Sequence, residues 1–159
     1  MKIRLICVGK LKERFYRDAV EEFSKRLLRF IDFSIIEIPD EKAPEKLSKA
    51  ELEQIKCAEG RRILERLGDV DAVIALDVLG DQFSSEGLAK KLSALMLDGK
   101  SRVAFIIGGS NGLSGEVLSR ADMRLSFSKM TFSHQIFRVM LLEQVYRAFK
   151  IINNEPYHK

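Results

Sequence analysis

Two imidazoles occur in the 159 residues, His134 and His158, and both lie in the basic C-terminal part. Either could carry a proton near neutral pH. Neither has a His-x-x-x-His, Cys–His or paired-carboxylate neighbour at the spacing that metal or hydrolytic chemistry needs. No metal site is expected. Cys7 and Cys57 stand far apart without a CxxC pairing, which suits a reducing, cytoplasmic setting. On a helix, His134 and Arg138 would share one face, and Glu143 and Arg147 roughly the opposite one. Glu143–Arg147 is also an i,i+4 ion pair in the favourable order, which supports a helix whatever else it does.

A second kind of chemistry is open to the run Ile107-Gly108-Gly109-Ser110-Asn111-Gly112-Leu113-Ser114-Gly115. Four glycines let backbone approach a ligand with no Cβ in the way. The spacing matches neither GxGxxG nor GxxxxGK[ST], so neither a dinucleotide fold nor an NTPase is supported. Three strand ends fall in this half of the chain: Ala75-Leu76-Asp77, Ile107-Gly108-Gly109, and Phe127-Ser128-Lys129-Met130-Thr131-Phe132. Side by side in a parallel sheet, they would form one crevice of amides, carbonyls and apolar side chains, suited to an uncharged aromatic heterocycle such as adenine.

The elements that would position these residues alternate in period. Strands are expected at Ile3–Val8, Phe33–Ile38, Ala72–Val78, Arg102–Ile107 and Met123–Ser128. Helices are expected at about 11–30, 45–67, from the Ser84 N-cap to Leu97, 116–120 and 133–152. Gly80-Asp81 reads as a turn, and residues 39–46 as a mobile polar connection. Five strand–helix alternations without a linker or repeat predict one α/β domain over 1–159, a parallel sheet with helices on both faces. The 46% apolar and 31% charged composition excludes wholesale disorder, and no apolar stretch reaches the roughly 20 residues of a membrane span. Arg4 inside the first apolar run, with no small-residue cleavage site after it, argues for a strand over a signal peptide.

The net charge of +4 is unevenly spread. Residues 1–31 carry nine basic and four acidic side chains, residues 32–119 carry 11 and 16, and residues 120–159 carry seven and three. Basic ends around an acidic middle would suit a polyanion such as RNA if the fold brings the ends together. A non-catalytic RNA- or ribosome-binding α/β protein fits the same pattern, as does a nucleotide-binding enzyme with an irregular glycine loop.

Four segments in order carry a resemblance: Phe105–Gly112, Leu125–His134, Leu142–Ala148 and Pro156–Lys159. Together with the chain length and the Met-Lys-Ile-Arg opening, they resemble the SPOUT-class ribosomal RNA large subunit methyltransferase H family along essentially the whole chain. The resemblance implies a homodimer and a C-terminal trefoil knot. It implies an S-adenosyl-L-methionine-dependent enzyme that methylates N3 of a pseudouridine in the helix 69 loop of large-subunit (23S) ribosomal RNA, within an assembled ribosomal particle. By position it implies cofactor contacts at Leu76, Gly108, Phe127, Ser128, Lys129, Met130, Thr131 and Phe132, and a reaction centre at His134, Glu143, Arg147, Tyr157 and His158. His134 or His158 could accept the imide proton, and Arg147 or Arg138 could stabilise the resulting charge. Spacing does not choose between them.

Overall fold

Period-two alternation sorts the side chains of each central strand between two helical layers. The computed structural model describes residues 1–44 and 46–157. In β1 (Lys2–Val8), Ile3, Leu5 and Cys7 face one layer, while Ile6 and Val8 face the other. β3 (Ala72–Gln82) and β4 (Arg102–Ile107) divide in the same way, with Ile74 and Phe105 on the first side and Val73 and Ile106 on the second. The first side is covered by α1 (Arg14–Leu27), α3 (Ser85–Leu97) and α5 (His134–Ile152), the second by α2 (Lys49–Leu67) and α4 (Gly115–Arg120). With β2 (Asp32–Ile38) and β5 (Met123–Ser126), the strands form one parallel sheet in the order β2-β1-β4-β3-β5. Among the described residues no helix is long and apolar enough to cross a membrane.

Local chemistry sets the boundaries. Ser48, Ser84, Ser114 and Ser133 each accept a backbone N–H in the first turn of their helix, a cap typically worth about 1 kcal/mol. The capping box of Ser48 and Glu51 starts α2 at Lys49, four residues later than its composition suggests. At the other end of α2 the Arg4 guanidinium donates to the Arg66 and Leu67 carbonyls, which explains a charge inside a buried strand. The start of α1 is delayed to Arg14 because Arg17 donates to the Leu11 and Lys12 carbonyls and holds that segment outside the helix.

One further expectation is corrected. Gly80-Asp81 is no turn between elements but the far end of β3. The ladder with β5 runs to Leu76, breaks, and resumes at Asp81, both opposite Leu125. Residues 77–80 are thrown out as an irregular excursion, and at Gly80 an added Cβ would lie 2.6 Å from the Arg124 backbone, so only glycine permits this approach. Residues 39–44 have no regular structure, and α2 side chains contact them. Arg62 donates to the Pro39 carbonyl at 3.1 Å and pairs with Glu41, while buried Glu59 accepts the Glu41 N–H at 3.0 Å. The basic chain ends do meet: α1 packs on α5, where Phe23 and Phe30 contact Tyr146 and Phe149.

Candidate functional site

Because β4, β3 and β5 are parallel neighbours, their carboxyl ends open on the same edge of the sheet. A cavity of about 560 Å³ lies there, within the size range of small-molecule sites. Its walls come from β3 where its ladder with β5 breaks (Leu76, Asp77), the glycine turn after β4 (Gly108, Gly109, Gly112) and the segment after β5. From that last segment Phe127, Ser128, Met130, Thr131 and Phe132 line it, followed by Ser133 and His134. Lys129, expected in the same group, is exposed and absent from the wall. The Ser128 side chain accepts the Met130 N–H at 3.0 Å, and the Ser126 hydroxyl donates to the Ser128 carbonyl at 3.1 Å. That tight turn leaves Lys129 at its tip.

The cavity is almost free of net charge. Asp77, its one carboxylate, is held by the Arg124 guanidinium, whose Nε donates to Oδ2 at 2.7 Å. The remaining polarity is backbone and hydroxyl groups. Phe127 and Phe132 both contact Phe137 of α5, at 4.9 and 6.3 Å between ring centroids, so the far wall is an aromatic cluster. Phe137 was not singled out as a site residue from sequence, and Asp77 only as part of a strand end. The signal for Phe137 was its place one turn after His134.

His134 is the first residue of α5 and lies on the cavity edge. Its ring approaches Gly9, where an added Cβ would lie 3.5 Å from Nε2, and Gly9 itself has φ of +82°; both facts favour glycine there. Burial, then the positive charge of Arg138, push the imidazole below its ordinary pKa, partly opposed by Asp40 and with a last contribution from Lys12. His134 is therefore neutral at physiological pH and able to accept a proton.

One turn below, Arg138 is 1% exposed. Its guanidinium donates to the Val8 and Gly9 carbonyls at 2.9 and 2.6 Å and to Glu37 at 2.7 Å. It thus ties α5 to the ends of β1 and β2. Arg138 was legible as a face-mate of His134, but its burial was not. Among the described residues, its Nε and Glu59 Oε2 are the two buried side-chain polar atoms without a hydrogen-bond partner. Glu59 lies behind the glycine turn, where a Cβ on Gly109 would meet Oε2 at 3.1 Å, and burial raises its pKa.

The other expected reaction-centre residues form a separate cluster. Glu143 accepts from Arg147 at 2.6 Å, from the Tyr157 hydroxyl at 3.2 Å and from Gln144 at 2.7 Å. The Arg147 guanidinium sits 4.7 Å from the centroid of the Tyr157 ring. Burial and the Glu143 charge raise the Tyr157 pKa, so the phenol keeps its proton. At 1.5 Å per helical residue, Glu143 and Arg147 stand about 13 and 20 Å along α5 from His134. Within one chain the fold does not bring them to the cavity. His158 lies outside the described residues. Cys7 is buried, with its thiol pushed up to about 11, and is no nucleophile. Among the described residues no group of His, Cys, Asp or Glu is placed to hold a metal ion.

The whole chain has known counterparts. The family described as Predicted SPOUT methyltransferase matches residues 1–158. Proteins named Ribosomal RNA large subunit methyltransferase H from two strains of Clostridium kluyveri are each 55% identical over 159 residues, covering all of this chain and all of theirs. Among solved structures, a probable methylase family protein from Haemophilus influenzae is similar with a TM-score of 0.57 at 13% identity, covering 99% of this chain and 70% of that one. A probable methyltransferase from Bordetella pertussis gives 0.57 at 14% identity, covering 93% and 96%.

Proposed function

Because the chain belongs to the SPOUT methyltransferase family, we propose that it is an S-adenosyl-L-methionine-dependent methyltransferase of large-subunit ribosomal RNA, acting in the cytoplasm on N3 of a pseudouridine in the helix 69 loop. The relatives' name supports the RNA class. The observation that carries the reading is the near-neutral cavity at the ends of β3, β4 and β5, walled by glycine backbone, hydroxyls and aromatic rings. Such a wall fits a purine held by main-chain hydrogen bonds and a sulfonium with no cation facing it. At Gly108 an added Cβ would fall 3.0 Å from the Gly112 backbone and from Leu113, so the turn is closed tightly behind that wall.

S-adenosyl-L-methionine, when bound, supplies a methyl group on a sulfonium whose leaving group is a neutral thioether. The chain's work is therefore alignment and handling of the acceptor's proton. Leu76, Gly108 and the run Phe127–Phe132 would hold the donor, the exposed Lys129 excepted. An imide N3–H must be lost before its nitrogen can attack, and neutral His134 on the cavity edge is placed to accept that proton. The Glu143–Arg147–Tyr157 cluster would stabilise the imidate charge. Its distance from the cavity supports a homodimer in which one copy's cluster faces the other's cavity. The C-terminal trefoil knot belongs to the same proposal. At +4 the chain offers few phosphate contacts, so an assembled ribosomal particle is the expected substrate and a short naked hairpin a poor one.

Calorimetry with S-adenosyl-L-methionine, followed by transfer of a labelled methyl group to unmodified large-subunit particles, tests the reading. Binding of the donor and label in the RNA are expected. No binding would favour a non-catalytic RNA-binding protein, and preference for another nucleotide would favour a different enzyme.

The depressed pKa of His134 has a kinetic consequence. Activity needs the neutral ring, so kcat/KM should fall as pH drops through a value below about 6.5, the ordinary histidine pKa. His134→Gln should be slower and should lack this acid limb. The same limb in both proteins would remove His134 as the proton acceptor.

A further inference from the structure

The segment Lys10–Arg17 follows β1 directly and has no part in the cavity, yet it is built like a contact surface. Lys10, Lys12, Arg14 and Arg17 are all exposed. Among them stands Phe15, a large ring that is 61% exposed and backed by Tyr16 at 4.3 Å between centroids. The one acid in the stretch is exposed Glu13, and Asp18 just beyond it pairs with Arg14 at 3.5 Å.

Neighbouring elements fix the segment in place. The Lys12 N–H donates to the Gln135 side chain of α5 at 2.9 Å, the Leu11 N–H reaches Glu37 of β2 at 3.4 Å, and Arg17 donates to the Leu11 and Lys12 carbonyls. Gln135 is next to His134, whose ring packs on Gly9 at the start of the same segment. The basic, aromatic surface therefore begins at the edge of the cavity. Across the cavity edge, Met130 and Phe132 are also exposed, at 70% and 39%, next to exposed Lys129.

An exposed ring flanked by cations is costly to leave in water and useful against one class of partner. Unpaired bases stack on aromatic faces while their phosphates take the lysines and arginines. We propose that Lys10–Arg17 is the platform that grips the RNA strand beside the target nucleotide, with an unpaired base stacked on Phe15 and the adjoining phosphates on Lys10, Lys12 and Arg14. This deepens the RNA methyltransferase reading and rests on it.

The test uses the full-length protein with large-subunit particles lacking the modification. Stacking on an aromatic side chain is worth enough that Phe15→Ala should raise KM for the particles roughly tenfold. Phe15→Trp should restore it. Affinity for S-adenosyl-L-methionine, measured alone, should not move in either variant, because Phe15 is not part of the cavity wall. Lys10→Gln with Lys12→Gln should reduce the slope of log KM against log salt by about 1.4. A photocrosslinking residue at position 15 should label RNA. Phe15→Ala with KM within about twofold of the wild type, or crosslinks confined to a ribosomal protein, would overturn the platform. If the wild type transfers no methyl group to RNA, the broader reading falls with it. If the wild type is active and Phe15→Ala matches it, only the platform falls.

Discussion

Deletion of Tyr157–Lys159 should lower methyl transfer by about a hundredfold or more, the usual effect of losing a charge-stabilising group, while S-adenosyl-L-methionine still binds with wild-type affinity. Tyr157 packs edge-on against Tyr146 at 5.0 Å and donates to Glu143, but it is not part of the cavity wall. The deletion therefore leaves the proposed donor site whole and disturbs the Glu143–Arg147 pair. Calorimetry and single-turnover transfer together separate these effects, and near-full turnover by the truncated protein would remove the tail from the mechanism. The same variant tests the dimer. If His134 of one copy works with the tail of the other, mixing truncated protein with inactive His134→Ala should assemble one complete site in each heterodimer. Random exchange would then restore about a quarter of wild-type activity, as two-fold symmetry requires. No recovery after subunit exchange would place the whole reaction within single chains.

Arg138→Met should be the most destabilising single change near the site, by about 3 kcal/mol. The guanidinium is buried, and its removal strands the Val8 and Gly9 carbonyls without a donor and leaves Glu37 without its cation. Because the Glu37 side chain is 36% exposed, water recovers part of its loss, which keeps the figure at the low end for a broken buried pair. In urea the midpoint should fall by about 1.5 M if the slope is near 2 kcal/mol per M. A shift under about 0.3 M would show that this network contributes little. Arg138→Lys keeps the charge but not the fork, and should lie between the two. A second readout is independent of folding. Without the neighbouring cation the His134 pKa should rise toward its ordinary value, moving the acid limb of kcat/KM to higher pH.

The cavity was largely visible in the sequence because its parts are local. A buried-type strand that ends in glycine is readable at Ile107-Gly108-Gly109, and so is the end of an apolar run at Leu76. Where three such runs are parallel neighbours, their ends must share an edge. The turn that displaces Lys129 was not readable, since it depends on Ser126 and Ser128 hydrogen bonds that any serine-rich loop could forgo. The excursion of β3 was missed for a similar reason. Gly80-Asp81 has turn composition, and only the backbone of Arg124 pressing against Gly80 makes it part of the strand's pairing with β5.

Sequence alone determined the alternation of strand and helix, the apolar run of β4 and the Ser84 cap of α3, because each depends on residues within a few positions of one another. The tertiary structure decided what lies beside what. It buried Arg138 against β1, pressed His134 onto Gly9, and brought Tyr157 onto the Glu143–Arg147 pair. Side-chain periodicity reports which way a residue faces from its own element, whereas these contacts join residues 14 to about 130 positions apart and exist only once the sheet order and the packing of α5 are set.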